Sequence, residues 1–443
     1  MSMHLDTLAQ WLDYQQRIHP REIELGLGRI REVWQRLGAP RLAPLVISVA
    51  GTNGKGSTVA LLEAMLQAMD LRVGAFTSPH LLRYNERVRV AGHDADDASL
   101  VAAFARIEQA REAIPLTYFE FGTLAAFLVF AESSLDIVLL EVGLGGRLDA
   151  VNLIDADAAV VTTIDLDHQD WLGDDRDHIG AEKAGISRPG RAVIVGDSDP
   201  PPGLLNAVAT IGADLRLAGR DFCMDAQPGG WQWHALVDGV PEVSLELPNP
   251  ALAAPCQMAN AASAIATLYA LRDRLSWNPA AMAVGVGAAT LVARMQRFAL
   301  APELVVDVAH NAQAARVLAQ WLLQNPIRGR TVAVFGALAD KDVAAVVAPL
   351  AEHFSSWHLA GLDSASPRGL SADALRERLP LQTGLDIAGG HASVEDALQV
   401  AMDASSPQDR VIAFGSFFVA AAVLAMTPLL IAERAARLRC GQV

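Results

Sequence analysis

The chain alternates apolar runs, which are typical of buried strands, with stretches of helical periodicity over most of its length. Strands are predicted at residues 45–51, 72–78, 136–143, 158–164 and 191–197. Helices are predicted between them, for example at 57–70 and 121–134. Because the strand runs are continuously apolar rather than alternating, both faces of the sheet should be covered. The pattern predicts a mostly parallel α/β sheet.

The pattern changes in the middle of the chain and then resumes. Residues 216–248 combine Gly and Pro turns with short alternating runs, which predict a small antiparallel appendage, and 249–271 look helical. A second α/β series follows, with strands predicted at 303–310, 331–338, 355–361 and 410–416. A chain of 443 residues is expected to form two domains. The predicted fold is an N-terminal P-loop-type domain (1–295), mostly parallel and carrying the appendage, followed by a C-terminal Rossmann-like α/β domain (296–443).

Composition bears on whether the chain binds nucleic acid, crosses a membrane or leaves the cytoplasm. The formal net charge of −15 disfavours a nucleic-acid partner. Residues 411–431 carry no charge and are long enough to span a bilayer, but Gly415-Ser416 interrupts them and alanine dominates. They are interpreted as a buried strand and helix, with no membrane association. Cys223, Cys256 and Cys440 form no CxxC pair and the N-terminus has no apolar signal segment, so a cytoplasmic location is predicted.

A glycine-rich loop between the first strand and the next helix carries the strongest chemical signal. It consists of Gly51, Thr52, Asn53, Gly54, Lys55, Gly56, Ser57 and Thr58. Glycines let backbone N–H groups approach phosphate, the helix N-terminus favours anions, and a lysine supplies a cation for the outer phosphates. The loop departs from the strict GxxxxGK[ST] pattern at Val49 and Gly56. A plain glycine turn is the alternative, but the strand–loop–helix context favours nucleotide binding.

Acidic and histidine side chains follow two neighbouring predicted strands. Glu141 ends one strand, and Asp165, Asp167 and His168 follow the next. Carboxyl ends of strands are where open α/β sheets place ligands, and Mg²⁺ prefers oxygen ligands. Structural ion pairs remain the alternative for these groups. Lys183 lies between apolar positions on a short predicted helix, where it could pair with an acid or, if partly deprotonated, react with CO₂.

The motifs taken together resemble a known enzyme family. GTNGKGST, TSPHLLRYNERV, TYFEFGT, EVGLGGRLDAVN, DHQDWLG, EKAGI, ARMQRF and DVAHN occur in this order. In order and spacing they are similar to the folylpolyglutamate synthase and dihydrofolate synthase family of Mur ligases, from about Leu5 to the C-terminus. The resemblance implies an ATP-dependent ligase that adds L-glutamate to dihydropteroate and to reduced folates through an acyl phosphate.

The resemblance also implies roles for individual residues. ATP would be bound by residues 51–58 with Lys55, and further by Asn260, Arg294 and Asp307. One Mg²⁺ would lie at Ser57. A second would be held by Ser78, Glu141, His168 and Lys183, whose counterpart is carbamylated in many relatives. Catalytic roles fall to Lys55, Lys183 and His310. The pterin site would include Arg83, Phe119, Asp149 and Asn152, and Ser416 would contact glutamate. A monomer is expected, and a K⁺ requirement is implied by the resemblance alone.

Three other interpretations compete with this one. Another Mur-type amino-acid ligase would share the phosphate loop, but those chains usually begin with a uridine-nucleotide domain, and here the loop already starts at Gly51. A P-loop ATPase or kinase would consume no glutamate. A nucleotide-binding scaffold without chemistry would not need the set of Lys55, Glu141, His168 and Lys183.

Overall fold

The computed structural model describes residues 5–19, 21, 23–380 and 384–439, with side chains up to residue 432. It divides into two compact units. The first contains the chain up to Ala251 together with Gln257–Thr290, and the second contains Leu252–Cys256 and the chain from Leu291 onward. Each unit has a sheet of its own. Cys223 and Cys256 are free thiols, and Cys440 lies outside the described residues.

An eight-stranded sheet organises the first unit. Its strands are β1 (Leu45–Ala50), β2 (Val73–Phe76), β3 (Val88–Val90), β4 (His93–Asp94), β5 (Ile137–Glu141), β6 (Ala158–Val161), β7 (Ala192–Val195) and β8 (Asp214–Leu217). The order across the sheet is β4-β3-β2-β5-β1-β6-β7-β8. All neighbours pair in parallel except β3 and β4 at one edge. The central strands β1, β5 and β6 are buried throughout, as their continuous apolar runs predicted.

The first unit also contains helices, some of which contact the sheet directly. They are α1 (Leu8–Ile18), α2 (Gly28–Arg36), α3 (Lys55–Gln67), α4 (Asp97–Arg111), α5 (Tyr118–Ala131), α6 (Gln169–Leu172), α7 (Arg176–Ala184), α8 (Pro202–Ile211), α9 (Gln257–Ala270) and α10 (Pro279–Ala288). Single 3₁₀ turns occupy Tyr84–Arg87 and Ala150–Leu153. Helix α5 begins with a capping box between Thr117 and Glu120, and its apolar run 121–130 is buried on every side. Helix α3 packs against α9 and α10.

The predicted antiparallel appendage is present but starts later than expected. It consists of β9 (Phe222–Gln227), β10 (Gly230–Val237) and β11 (Val240–Pro248) in the order β11-β10-β9. The expectation that it begins at residue 216 is wrong, because β8 continues the large sheet in parallel with β7. Trp233 of the appendage is buried, and its indole N–H donates to the carbonyl of Ala262 on α9 at 3.1 Å. The predicted helix 249–271 begins only at Gln257, two residues after Pro255.

The second unit is a six-stranded α/β sheet. Its strands are β12 (Gln296–Phe298), β13 (Glu303–Val306), β14 (Thr331–Phe335), β15 (Ser356–Ala360), β16 (Ile387–His391) and β17 (Arg410–Phe414), in the order β12-β13-β17-β14-β15-β16. Only β12 is antiparallel to its neighbour. The helices are α11 (Ala312–Gln324), α12 (Val343–Val347), α13 (Ala372–Glu377), α14 (Val394–Asp403) and α15 (Phe417–Arg439), with a 3₁₀ segment at Ala348–His353. The α/β class predicted for both halves is therefore confirmed.

The uncharged stretch 411–431 forms a buried strand and the start of a helix. Strand β17 ends at Phe414, and α15 begins at Phe417. Gly415 between them has a φ of +113°, and a Cβ there would lie 2.4 Å from the carbonyl oxygen of Gly336. Glycine is therefore required at this turn. Among the helices of the described residues, none has the length and apolarity needed to cross a membrane.

Candidate active site

Parallel pairing gathers the predicted site residues of the first unit at one edge of its sheet. Strand β1 lies between β5 and β6, with Val49 opposite Glu141 and Ala50 opposite Val161. Strand β2 flanks β5 on the other side. The carboxyl ends of all four strands therefore meet at this edge, as in other open α/β sheets. Glu141 is the last residue of β5, and the glycine-rich loop, Ser78 and the segment 162–168 follow the ends of β1, β2 and β6.

The glycine-rich loop is held from two sides. Gly51 has a φ of +149°, and a Cβ on it would lie 1.8 Å from Thr162 Oγ1. Gly54 has a φ of +86°, and its Cβ would lie 2.7 Å from Asn260 Oδ1 on α9. Thr52 Oγ1 donates to the carbonyl of Asp165 and accepts from the Asp165 N–H, each at 3.0 Å. The loop thus needs glycine for both its conformation and its close neighbours.

Two side chains at the start of α3 face this loop and α9. Lys55 Nζ folds back and donates to the carbonyls of Gly51 (2.9 Å) and Thr52 (3.2 Å). Ser57 is buried, and its hydroxyl accepts a hydrogen bond from Gln257 Nε2 at 3.2 Å.

A residue of α9 that the sequence analysis did not single out connects two that it did. Gln257 donates to Ser57, and its Oε1 accepts from Asn260 Nδ2 at 3.0 Å. The sequence signal that could have found Gln257 is its position one helical turn before Asn260, which puts both amides on the same face of α9.

A pocket opens beside the loop and contains two lysines. It is lined by Gly51, Thr52, Lys55, Val142, Gly143, Leu144, Gly145, Asp167, His168, Leu172 and Lys183. Lys183 on α7 is buried. Burial, together with the charge of Lys55, lowers the pKa of Lys183 to about 7, against the opposing charges of Asp167 and Asp149. Two amines at one pocket are suited to binding a polyanion, and the lowered pKa leaves the Lys183 amine partly neutral near neutral pH.

Asp149 lies behind the pocket wall. Burial raises the pKa of its carboxyl group to about 6, although hydrogen bonds from backbone N–H groups and the charge of Lys55 oppose this. Its oxygens accept from the N–H groups of Leu144 (2.8 Å) and Val151 (3.0 Å). The carboxyl group thus shapes the 143–151 segment while remaining close enough to interact with the lysines.

The carboxylate and histidine predicted to hold a metal lie on separate strand ends. Glu141 is buried, and its Oε2 accepts the backbone N–H of Ser78 at 3.0 Å. His168 directly precedes α6, and its Nε2 lies 3.9 Å from Asp167 Oδ1. Within the described ranges, no three His, Cys, Asp or Glu side chains are grouped as a metal site. A buried carboxylate beside a phosphate loop nevertheless fits Mg²⁺, which takes one or two protein carboxylates and completes its shell with phosphate and water.

Of the four predicted pterin residues, Phe119 and Asp149 border this region. Phe119 lies in the first turn of α5, and its ring packs against Phe76 with centroids 5.9 Å apart. A Cβ on Gly143, which lines the pocket, would lie 2.6 Å from the Phe119 ring. Phe119 therefore backs the glycine segment at the end of β5.

The other two predicted pterin residues make different contacts. The Asn152 amide donates to the carbonyls of Arg147 and Gly185, each at 3.0 Å. Its Oδ1 accepts from the Arg188 guanidinium at 3.0 Å, so the side chain ties two loops together. Arg83 is exposed, and its guanidinium faces Asp97 at 3.6 Å rather than a residue that lines the pocket.

Two of the predicted site residues lie at one edge of the sheet in the second unit. Strands β13 and β17 are parallel neighbours, so Asp307 and Ser416, which follow them, lie at the same edge. The Asp307 carboxylate accepts N–H groups from Met295 and Ala309, each at 2.7 Å. Burial raises its pKa, and the charge of Arg294 opposes that shift.

Phe417 is the centre of this second group, although it was not predicted. The Arg294 guanidinium lies over its ring at 5.4 Å from the centroid, and the His310 ring lies 6.0 Å away. Ser416 Oγ accepts the N–H of Val419 at 3.1 Å in the first turn of α15. Arg294, Asp307, His310 and Ser416 thus form one cluster within the second unit.

Each of the two units contains a region that matches a known domain family. Residues 49–201 match the Mur ligase middle domain, and residues 293–417 match the Mur ligase, glutamate ligase domain. The chain is 42% identical over 420 residues to a dihydrofolate synthase/folylpolyglutamate synthase of Escherichia coli strain K12, covering 94% of each. The chain belongs to the dihydrofolate synthase/folylpolyglutamate synthase family.

Solved structures of the dihydrofolate synthase/folylpolyglutamate synthase family agree with this. E. coli FolC in complex with DHPP and ADP superposes with a TM-score of 0.89 at 41% identity, covering 96% of this chain and 98% of that one. A bifunctional folylpolyglutamate synthase/dihydrofolate synthase with Mn, AMPPNP and L-glutamate bound gives 0.86 at 44% identity, with coverage of 95% and 98%. The chain is an ATP-dependent ligase that adds glutamate in folate metabolism. The alternatives of another Mur-type ligase, an ATPase or a kinase are not favoured.

Proposed function

We propose that the chain joins L-glutamate to the carboxylate of dihydropteroate, forming dihydrofolate, and also to reduced folates, forming folylpolyglutamates. The observation that carries the proposal is the pocket at the glycine-rich loop, which is lined by Lys55, Lys183 and Val142, the residue after the strand-end carboxylate Glu141. The names of the similar proteins support both activities for this chain.

In the first step, the acceptor carboxylate attacks the γ-phosphate of ATP and forms an acyl phosphate. Two anions approach each other, so cationic and N–H groups must offset their repulsion. We assign this role to Lys55 and the N–H groups at the start of α3. Lys55 Nζ would exchange its hydrogen bonds to loop carbonyls for phosphate oxygens. Asn260, Arg294 and Asp307 are proposed as further nucleotide contacts.

Two Mg²⁺ ions are proposed for this site. Ser57 would hold one with ATP, and Ser78, Glu141, His168 and Lys183 would hold the other. The ions would supply positive charge against the phosphates and the developing oxyanion. We propose that Lys183 is carbamylated, because burial and a lowered pKa of about 7 favour the neutral amine that reacts with CO₂. The carbamate would give this position an oxygen ligand.

In the second step, the amine of glutamate attacks the acyl phosphate, the C–N bond forms and phosphate leaves. The amine must lose a proton, and His310 is the proposed acceptor for it. Ser416 is the proposed contact for the incoming glutamate. On the acceptor side, Phe119 and Asp149 are proposed to contact the pterin. Asn152 is proposed to orient that wall, and Arg83 remains a proposed outer contact.

The proposal extends to the roles of the two domains, the oligomeric state, the cellular location and a monovalent cation. Residues 1–295 would bind ATP and the acceptor, and residues 296–443 would act as the glutamate-ligase domain. A monomer acting in the cytoplasm is proposed, in keeping with cysteines that form no CxxC pair. A K⁺ requirement is proposed from family resemblance.

The test is a glutamate-incorporation assay. Purified protein is incubated with ATP, Mg²⁺, radiolabelled L-glutamate and either dihydropteroate or tetrahydrofolate, and ADP is measured in parallel. We expect label in both acceptors, with one ADP formed per glutamate added. Reactions without acceptor serve as the control for plain ATP hydrolysis. Absence of label from both acceptors would remove the ligase assignment, and label in only one would restrict it to that activity.

A further inference from the structure

A half-buried arginine near the acceptor side of the site lies between two tyrosine rings. The Arg87 guanidinium is 5.5 Å from the ring centroid of Tyr84 and 5.6 Å from that of Tyr118. Arg87 Nε donates to His80 Nδ1 at 2.8 Å. Stacking on two rings and one hydrogen bond fix the plane of the guanidinium while leaving its two terminal nitrogens available.

This guanidinium has no carboxylate partner in the part of the chain that the structure describes. Other arginines of the first unit do have one, such as half-buried Arg89 with Glu63 at 2.7 Å and buried Arg111 with Glu108 at 2.6 Å. The carboxylate next in sequence, Glu86, accepts the backbone N–H groups of residues 81–83 instead. Partly burying a guanidinium without a counter-ion costs free energy, so an anionic ligand is the expected compensation.

The position of Arg87 connects it to the proposed acceptor site. Its carbonyl accepts the N–H of Thr77 at 2.9 Å, and the next residue, Ser78, donates to Glu141. On its other side, Tyr118 directly precedes Phe119 at the start of α5. Arg87 therefore lies between the loop after β2 and the helix start that carries the proposed pterin contact.

We propose that Arg87 binds the unreacting carboxylate of an acceptor that already carries glutamate. This inference rests on the proposed function. Dihydropteroate has a single carboxylate, which is the reacting group. A folate ends in glutamate, so one of its carboxylates reacts while the other stays as an anion that the site must accommodate. A guanidinium with two free terminal nitrogens suits such a carboxylate, because it can form two parallel hydrogen bonds. Arg87 would thus serve the addition of glutamate to folates but not its addition to dihydropteroate.

The test compares two acceptors in Arg87→Gln and Arg87→Lys. Losing a charge-assisted hydrogen bond should raise KM for tetrahydrofolate roughly 10- to 100-fold. For dihydropteroate, kcat/KM should stay within about threefold, since no bond to that acceptor is lost. Arg87→Lys keeps the positive charge but lacks the paired N–H groups of the guanidinium, so it should recover part of the affinity for tetrahydrofolate. The matched control is Arg106→Gln, which removes an exposed arginine paired with Glu132 on α5's C-cap and should alter neither acceptor.

A tetrahydrofolate analogue whose unreacting carboxylate is a carboxamide completes the test. The wild type should bind it about as weakly as Arg87→Gln binds tetrahydrofolate, and the variant should not discriminate between the two ligands. Equal losses on both acceptors in both variants would overturn the inference in favour of a structural role. Unchanged kinetics for tetrahydrofolate would overturn it as well. Failure of the proposed function is distinguishable, because the wild type itself would then leave tetrahydrofolate unmodified.

Discussion

Replacing Gly51 with alanine would place a methyl group against Thr162 at the base of the glycine-rich loop. The added Cβ would lie 1.8 Å from Thr162 Oγ1, well inside contact distance. Thr162 is buried, and its hydroxyl donates to the carbonyl of Asn53 at 2.5 Å. Accommodating the methyl group therefore requires Thr162 to rotate and give up that hydrogen bond.

Two contributions add to the expected loss of stability. A non-glycine residue at the Gly51 φ of +149° costs about 1–3 kcal/mol in backbone strain. Leaving the buried Thr162 hydroxyl without this partner costs about 1–3 kcal/mol more. The local opening free energy of the loop should therefore fall by about 2–6 kcal/mol, and nucleotide affinity should fall because the loop no longer presents its N–H groups to phosphate.

Hydrogen exchange measured by mass spectrometry on peptides covering β1 and α3 reports this local stability directly. Titration calorimetry with an ATP analogue reports the loss of binding. Gly190→Ala is the matched control, because Gly190 also has a positive φ, +67°, but a Cβ there has nothing within 4 Å. It should cost only about 1–2 kcal/mol of backbone strain and leave nucleotide binding unchanged.

A double variant isolates the contact with Thr162. Thr162→Ala removes the clashing oxygen, so the combined loss in Gly51→Ala/Thr162→Ala should be smaller than the sum of the two single losses. The reasoning would be refuted if Gly51→Ala behaved like Gly190→Ala in both measurements. It would also be refuted if the stability loss of the double variant equalled the sum of the two single losses, because the clash with Thr162 would then play no part.

Three further predictions concern the charge of Lys55, the carbamylation of Lys183 and the stability at low pH that depends on Asp409. Lys55→Ala should reduce turnover at least about 100-fold because it removes charge stabilisation at the phosphates, while the thermal unfolding temperature changes little. Lys183→Arg should abolish a carbamate signal in carbon-13 NMR of protein incubated with labelled bicarbonate, because a guanidinium does not form a carbamate. Asp409→Asn should destabilise the second unit by about 2 kcal/mol at neutral pH. Burial raises the pKa of Asp409, but hydrogen bonds from Arg330 and Ser406 outweigh that and hold it at about 2. Since this lies below the unfolded value, the stabilisation is present above about pH 4 and is lost as the pH falls toward 2.

Each of these has a result that would contradict it. Near-normal turnover in Lys55→Ala would rule out its phosphate role, and loss of the folded state would make the activity change uninformative unless Lys55→Arg retains partial activity. A carbamate signal that survives in Lys183→Arg would assign the modification to another amine. For Asp409, urea unfolding of wild type and variant at several pH values is the measurement. A difference that stays constant from pH 7 down to pH 3 would contradict the depressed pKa.

The architecture was largely predictable because it depends on burial patterns along the chain. Continuous apolar runs gave the central strands β1, β5 and β6, since strands covered on both faces carry no polar alternation. Strand β16 escaped prediction because its sequence, IAGGH, is short and contains two glycines. Strand β12 has only three residues and no apolar run to mark it. Strand β8 was assigned to the appendage because only pairing with β7 reveals which sheet it joins.

The site was predictable where its chemistry is local. Glycines at positions 51 and 54, a lysine and a following helix are enough to predict a phosphate loop. The sheet edge that collects Glu141 and His168 follows from strand order in a parallel sheet. The individual roles of side chains were less accessible. Asn152 ties two loops together, Arg83 faces Asp97, and Gln257 contacts Ser57 from 200 positions away in the chain.

By itself, the sequence determined the two α/β units, the phosphate loop and the residue types that could bind a polyanion. Only the tertiary structure decided that Lys183 is buried with a pKa of about 7, and that Arg87 sits between two tyrosines without a carboxylate partner among the described residues. The reason is physical. A turn or a helix start depends on neighbours along the chain, whereas desolvation and pairing of charge depend on groups that only folding brings together.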